Sequence, residues 1–250
     1  MTLTSGGARD WEQLAAQAEG EAAHYPLPPQ HEAAVQAAID RARRQLGGDR
    51  VESHTVSFKP ERWASVSQDL PPYCTASGKI SRGDLFTIAS RGRDDDVLWQ
   101  LFAASYVWGQ GNNGYGLARL KRILSVTPKD QLVALIREAF SAGDRHGPMA
   151  AYDVLRGEHR YRAAGPHWGA AFFTKALYIG LRNGPASPLI LDRVMARRVS
   201  KLSDMPHLLY RGFGYNWSPY RYGVYLAWMR QTAKKFDVKP ELLEFALFKM

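Results

Sequence analysis

From Asp94 to its C-terminus, this 250-residue chain carries apolar residues at helical spacing and nowhere a sustained alternating pattern, so that half must fold as packed helices. Val97, Leu98, Leu101, Phe102 and Ser105 follow the i, i+3, i+4, i+7 spacing of a stripe that needs a partner surface. Thr127-Pro128-Lys129-Asp130 reads as a helix start, with a capping hydroxyl, proline at the first position and an acid in the first turn. The helix that follows would bury Leu132, Leu135, Ile136 and Phe140 and close at Gly143. Further helices are expected over 149–156, 170–181, 192–202, 221–236 and 240–248. Ahead of this block, Trp11 to Leu46 is rich in Ala, Gln and Glu and reads as two helices joined at Tyr25-Pro26-Leu27-Pro28-Pro29, the second ending at Gly47-Gly48. Residues 51–87 have no strong period, which predicts loops, short helices and at most a weakly signalled strand pair. The expected fold is mainly α, with a helical extension over 1–50 and a main domain over 51–250.

Charge narrows the function classes. The net charge of +9 points to a polyanion partner. Nine lysines and arginines against two acids fall between Arg156 and Lys201, so much of the excess is crowded into one segment. Cys74 is the one cysteine, which excludes a disulfide framework and leaves a cysteine-based zinc or iron–sulfur site without its ligands. No window approaches the ~20 apolar residues of a membrane span. Residues 1–20 also carry acids where a signal peptide would be basic and then apolar, so a cytoplasmic protein is expected.

Four constellations carry candidate chemistry. In Trp168-Gly169-Ala170-Ala171-Phe172-Phe173-Thr174-Lys175, a glycine turn leads into a helix with one lysine inside an apolar run. Helical geometry puts Ala171, Tyr178 and Ile179 around Lys175 and no acid one turn away. Such a lysine either snorkels to water or sits desolvated, and desolvation together with neighbouring arginines would free its amine as a nucleophile. Asp192, in Pro188-Leu189-Ile190-Leu191-Asp192-Arg193-Val194, opens the next helix. Capping alone explains an aspartate there, but the helix dipole also keeps it ionised for catalysis. In Tyr106-Val107-Trp108-Gly109-Gln110-Gly111-Asn112-Asn113-Gly114, amides able to meet base edges sit among glycines. This reads equally as a wedge or as a plain flexible loop. Finally Tyr210, Phe213, Tyr215, Trp217, Tyr220, Tyr222, Tyr225 and Trp228 crowd one segment. Some must be core, while those on the loop around Gly212 to Pro219 suit stacking of an unpaired base.

Together these residues resemble the helix-hairpin-helix DNA glycosylases, and in particular bacterial proteins with an 8-oxoguanine glycosylase fold. The resemblance runs from about Asp84 to Met250 and rests on the Gly169-centred hairpin, the Phe-Phe-Thr-Lys helix and the approach to Asp192. It implies Lys175 and Asp192 as catalytic residues. Gln110, Asn112, Asn113, Gly165, His167, Trp168, Gly169, Arg193 and Arg197 are implied as DNA contacts, and Trp108, Phe213, Tyr215 and Trp217 as a base pocket. Two departures stand out. Ala171 occupies the place where the bifunctional enzymes usually carry lysine, with Lys175 one turn further along the same face, and His167 replaces the first hairpin glycine. The four-cysteine cluster loop is missing, which argues against the iron–sulfur branch.

The resulting expectation is a DNA glycosylase without cofactor or metal, monomeric and nucleoid-associated, acting on double-stranded DNA with a modified base, an oxidised purine by first choice. It would break the N-glycosidic bond, with strand cleavage through a lysine imine in the bifunctional variant. The competing readings are a glycosylase for modified phage bases, a non-catalytic hairpin DNA-binding protein and, more weakly, an RNA- or nucleotide-directed enzyme.

Overall fold

The structure, a computed structural model, describes residues 9–157, 168–182, 184, 187–205, 208 and 217–250. Helices dominate the described residues. Two N-terminal helices, α1 (Trp11–Ala23) and α2 (Pro29–Leu46), meet at the proline joint, and Gly47 ends α2 with a left-handed φ of 72°. The patternless stretch forms the short helices α3 (Ala64–Ser67) and α4 (Pro72–Ser77). Strands β1 (Thr55–Ser57) and β2 (Lys79–Ser81) pair antiparallel within it, with Val56 opposite Ile80. There follow α5 (Arg82–Ala89), α6 (Asp95–Gln110), α7 (Gly114–Val126), α8 (Lys129–His146) and α9 (Pro148–Arg156). The remaining helices are α10 (Ala170–Gly180), α11 (Arg193–Ser203), α12 (Pro219–Lys235) and α13 (Pro240–Lys249). The hairpin expected between α9 and α10, with Gly165 and His167, lies outside the described residues for 158–167, as do Phe213 and Tyr215.

Helix α6 is the axis of the core. Its sequence stripe predicts one buried face, yet Trp99, Ala103, Ala104 and Trp108 are buried as well, so α6 is enclosed on nearly every side. Helices α5, α8 and α10 pack against it. On the far side α12 lies against α1 and α9, and α13 against α2. Helices α1 and α2 are thus part of the same core: Ala18, Val35 and Ile39 are buried in it, and the Trp228 indole donates to the Tyr25 carbonyl at 2.8 Å.

Three details of the sequence reading are corrected. Pro128, not a hydroxyl residue, is the N-cap of α8, and Thr127 ends α7. Helix α7 itself went unread, because Gly114 and Gly116 at its start resemble loop. And α8 passes through Gly143 to His146, with Gly147 (φ 84°) as its cap. Gly143 is there for packing: a Cβ would overlap Leu181 of the α10 terminus, just as a Cβ at Gly180 would overlap the Phe140 ring of α8. Both glycines let α8 and α10 approach closely.

That closeness is testable. Gly180→Ala should destabilise the protein by about 1–3 kcal/mol through overpacking, read as a lowered denaturant midpoint at unchanged slope. A cost below about 0.5 kcal/mol would show that the two helices can slide apart.

Candidate active site

Lys175 reaches the site because α10 is amphipathic in an unusual way, apolar nearly all round with one cation at its open side. Its stem crosses Gly109 of α6, where a Cβ would stand 2.8 Å from Lys175 Cδ, so the stem takes the space a side chain there would fill. The amine donates to the Ala171 carbonyl at 2.5 Å and lies 5.9 Å from the centre of the Phe172 ring. Burial lowers its pKa below the ordinary lysine value, and the nearby Arg82 guanidinium acts in the same direction, while Asp192 and Glu244 oppose.

Asp192 is the N-cap of α11, and both capping bonds, from the Val194 and Met195 N–H groups at 2.8 and 2.9 Å, go to the single oxygen Oδ1. The segment before it is irregular and buried. Tyr222 and Tyr225 donate to the carbonyls of Leu189 and Ile190 at 2.7 Å each. The Ile190 N–H donates to Glu244 Oε2 at 2.6 Å, and the Leu191 N–H to Thr174 Oγ1 at 3.2 Å. Thr174 precedes Lys175 and Leu191 precedes Asp192, so one hydrogen bond ties the two candidate residues together through their neighbours.

Two cavities meet at this pair. The outer one, about 580 Å³, is an open cleft lined by Gln110, Asn113, Tyr115, Arg119, Phe172 and Arg193 among others. The inner one, about 230 Å³, is walled by His54, Arg82, Trp108, Ile190, Met195 and Glu244 with a few neighbours. Gly109, Gln110, Lys175 and Asp192 line both and form the boundary between them. The first turns of α7, α10 and α11 all open on the outer cleft, so the positive ends of three helix dipoles and the Arg119 and Arg193 side chains face it. Arg119 lies 4.7 Å from the centre of the Phe172 ring, which in turn stacks on Tyr106. A cleft of this kind suits a phosphate backbone.

The inner wall sets a few buried polar groups among apolar ones. Arg82 is buried and bonds Glu244 Oε1 at 3.0 Å and the Tyr178 hydroxyl at 3.1 Å. Burial penalises its charge, but Glu244 and Tyr178 outweigh that and hold the guanidinium above its ordinary value. Burial, helped by Arg82 and Lys249, pushes His54 down to about 3, so the imidazole is neutral near pH 7.

The candidate residues from the sequence divide as follows. Lys175, Asp192, Gln110, Asn113, Gly169, Arg193, Trp108 and Trp217 come together on the two cavities. Trp108 walls the inner one; Trp217 lines the outer one, buried, with its indole donating to the Leu208 carbonyl at 3.1 Å. Asn112 is exposed beside the cleft, and Asn113 caps α7 by accepting the Tyr115 N–H at 3.1 Å. Arg197 is exposed on α11 but lines neither cavity. Trp168 is a correction: at 1% exposure its side chain sits edge-on to Phe102 in the core, because the apolar run it begins is needed to bury α6. Arg182 leaves the basic surface too, since it pairs with Glu52 and Glu241. Cys74 is buried, its thiol pushed up to about 12 by burial, and is no nucleophile.

The sequence reading missed His54, Arg82, Glu244, Tyr115 and Arg119. Glu244 had a signal: it is an acid inside Leu242-Leu243-Glu244-Phe245-Ala246-Leu247, the same oddity that marks Lys175. His54 and Arg82 come from the patternless stretch and had none. Among the described residues no group of three or more His, Cys, Asp or Glu is placed to hold a metal, and no helix is long and apolar enough to cross a membrane.

A helical fold with a basic cleft, floored by an amine and a carboxylate, defines a class of protein that holds a polyanion and can do amine and acid chemistry on it. A family model described as "Putative 8-oxoguanine DNA glycosylase OGG-like protein" matches residues 49–248, and the chain belongs to that family. At family level it is a DNA glycosylase, with DNA as substrate. No curated protein and no solved structure gave a significant match.

The lowered pKa of Lys175 has a consequence for stability. Because the fold favours the neutral amine, the unfolded chain binds the extra proton between the lowered folded pKa and the ordinary lysine value of about 10.4. Stability from this site therefore rises with pH across that window. Lys175→Met should raise the Tm at neutral pH, with a gain that shrinks as pH approaches about 10. A gain independent of pH, or a loss at neutral pH, would show that the amine is solvated.

Proposed function

We propose that this protein extrudes a modified base, an oxidised purine first among the candidates, and releases it by attack of the Lys175 amine on the sugar. The observation that carries this reading is the position of Lys175 and Asp192 between a cleft suited to a DNA backbone and an inner cavity that has room for one flat heterocycle. Phosphates lie along the helix N-termini with Arg119 and Arg193, and the base passes the pair into the inner cavity. Tyr115, 80% exposed at the lip of the cleft beside Asn112 and Asn113, offers an aromatic face to the gap left in the stack.

The chemistry follows from the two groups. The neutral amine, its N–H directed to the Ala171 carbonyl, attacks the anomeric carbon with its lone pair. The bond to the base breaks, and the base leaves with that electron pair and takes a proton. Asp192 stabilises the positive charge developing on the sugar; its Oδ1 serves the helix cap, which leaves Oδ2 for this task. Loss of a proton from nitrogen and opening of the sugar ring yield an imine joining Lys175 to the DNA. Removal of a C2′ proton then expels the 3′ phosphate.

Borohydride reduction of that imine is the direct test. Wild-type protein mixed with a duplex carrying one oxidised purine should become covalently attached to the DNA, and Lys175→Gln, which keeps length and polarity but has no nucleophilic amine, should not. Attachment persisting in Lys175→Gln would assign the nucleophile elsewhere. Base release without any attachment would leave water as the nucleophile.

Asp192→Asn separates capping from catalysis. The amide oxygen can still accept the Val194 and Met195 N–H bonds, so stability should fall by about 1 kcal/mol or less. Base release should drop by about 10²-fold or more, because the charge beside the sugar is gone. A parallel loss of Tm and activity, or activity fully retained, would reduce Asp192 to a cap.

A further inference from the structure

The turn between α6 and α7, Gly111-Asn112-Asn113, exposes its two asparagines yet is held along its backbone. Gly111 leaves α6 at φ 53° and ψ −120°, a region open to glycine, while its N–H still bonds the Val107 carbonyl at 2.7 Å. A Cβ there would stand 2.9 Å from Val56 Cγ1 and 3.2 Å from the Ser57 carbonyl oxygen, so the turn is seated directly on β1. The Asn113 N–H closes it by donating to the Gln110 carbonyl at 2.9 Å.

Two adjacent side chains from much earlier in the chain hold this turn from outside. Arg62 and Trp63 lie on the short helical turn Pro60–Trp63. The buried Trp63 indole donates to the Gly111 carbonyl at 3.1 Å, and Arg62 Nη1 donates to the Asn112 carbonyl at 3.3 Å. Tyr106 of α6 completes the support: its ring meets Trp63 edge-on at 6.1 Å between centres, and its hydroxyl donates to the Gly116 carbonyl at 3.2 Å. Consecutive carbonyls that a free loop would leave to water are thus taken by a neighbouring element, while Asn112, Asn113 and Tyr115 stay exposed at the lip of the cleft. Neither Arg62 nor Trp63 lines either cavity.

Stiffness matters to a wedge. Opening a base pair is costly, and a loop that must lose its own conformational freedom as it enters the gap adds a second cost to the first. A turn ordered beforehand avoids the second. We propose that Arg62 and Trp63 are positioning residues that hold the 111–113 turn ready to enter the stack as a base leaves it. This rests on the reading that the protein extrudes a base and that Asn112, Asn113 and Tyr115 meet the gap.

Two duplexes separate this role from a purely structural one. Both carry one 8-oxoguanine, opposite cytosine in the first and opposite a tetrahydrofuran abasic analogue in the second, so only the first has a base pair to open. Dissociation constants are measured with full-length Lys175→Gln protein, which holds the base uncut, and it should prefer the unpaired duplex. The ratio of the two constants cancels any loss of folded protein or of a phosphate contact. In the same background Trp63→Phe keeps a ring in the core without the N–H, and Arg62→Met removes the guanidinium at an exposed position. Trp63→Phe should weaken binding to the paired duplex by about ten-fold and Arg62→Met by about three-fold, with losses below about two-fold on the unpaired one.

A ratio unchanged in Trp63→Phe overturns the proposal: equal losses on both duplexes would make Trp63 a core residue and Arg62 a phosphate contact. Should Trp63→Phe fail to fold, Arg62→Met decides by the same ratio. Lys175→Gln alone keeps the two failures apart. Equal affinity for both duplexes before any brace is removed means that no base is extruded, and this inference falls with that reading. A preference for the unpaired duplex that the variants do not widen leaves extrusion standing and removes the brace.

Discussion

The run Leu189-Ile190-Leu191 is buried in the protein interior without belonging to a helix or a sheet, so its backbone groups need partners from side chains. Four side chains from three helices meet that demand: Tyr222 and Tyr225 from α12, Glu244 from α13 and Thr174 from α10. Leaving any one of those groups unpaired would cost about 1–3 kcal/mol, so the run holds one conformation. That conformation delivers Asp192 to the start of α11 and to the edge of the cavity where Lys175 stands. The position of the carboxylate is thus set by hydrogen bonds to the three residues before it, and the loop can be irregular without being loose.

The same interior explains why charges sit where they do. Arg82 and Glu244 form an ion pair with 3% and 2% of their side chains exposed, a poor bargain for stability because desolvation offsets most of the attraction. Their value is positional. Glu244 pins Ile190, and Arg82, in the wall of the inner cavity, helps to keep His54 neutral. Further out, Glu241 and Glu52 neutralise Arg182, so the buried side of α10 is electrically closed while its N-terminal end faces the cleft. These interior charges are held in pairs, and Arg119 and Arg193 line the opening, where a phosphate backbone can meet them.

Lys175 is the exception to that pairing, and Gly109 is what makes the exception possible. The lysine stem fills the space a side chain at position 109 would take, which carries the amine to the boundary of the two cavities instead of to bulk water. The α6–α10 contact is therefore at once part of the core and part of the site. Glycines at 143 and 180 serve the parallel α8–α10 contact, and together they seat α10 deeply enough that burial lowers the amine pKa.

Local spacing alone determined the helical class, the proline joint between α1 and α2, the placement of α6, α10, α11, α12 and α13 to within a few residues, and the two residues of opposite charge that open on the site. Those signals are legible because a helix repeats every 3.6 residues and because a lysine in an apolar run, or an aspartate after a proline-rich turn, is locally anomalous. Helix α7 was hidden by glycines whose role is close packing, and Gly143 was taken for a stop for the same reason. The inner cavity was beyond reach: His54, Arg82, Trp108 and Glu244 are separated by up to 190 residues of chain and carry no shared period, so only the folding of α5, α6 and α13 around one another brings them together. Tertiary structure also decided which aromatic and basic residues remain available, since burial against α6 takes Trp168 and ion pairing takes Arg182, and neither event leaves a mark in local sequence.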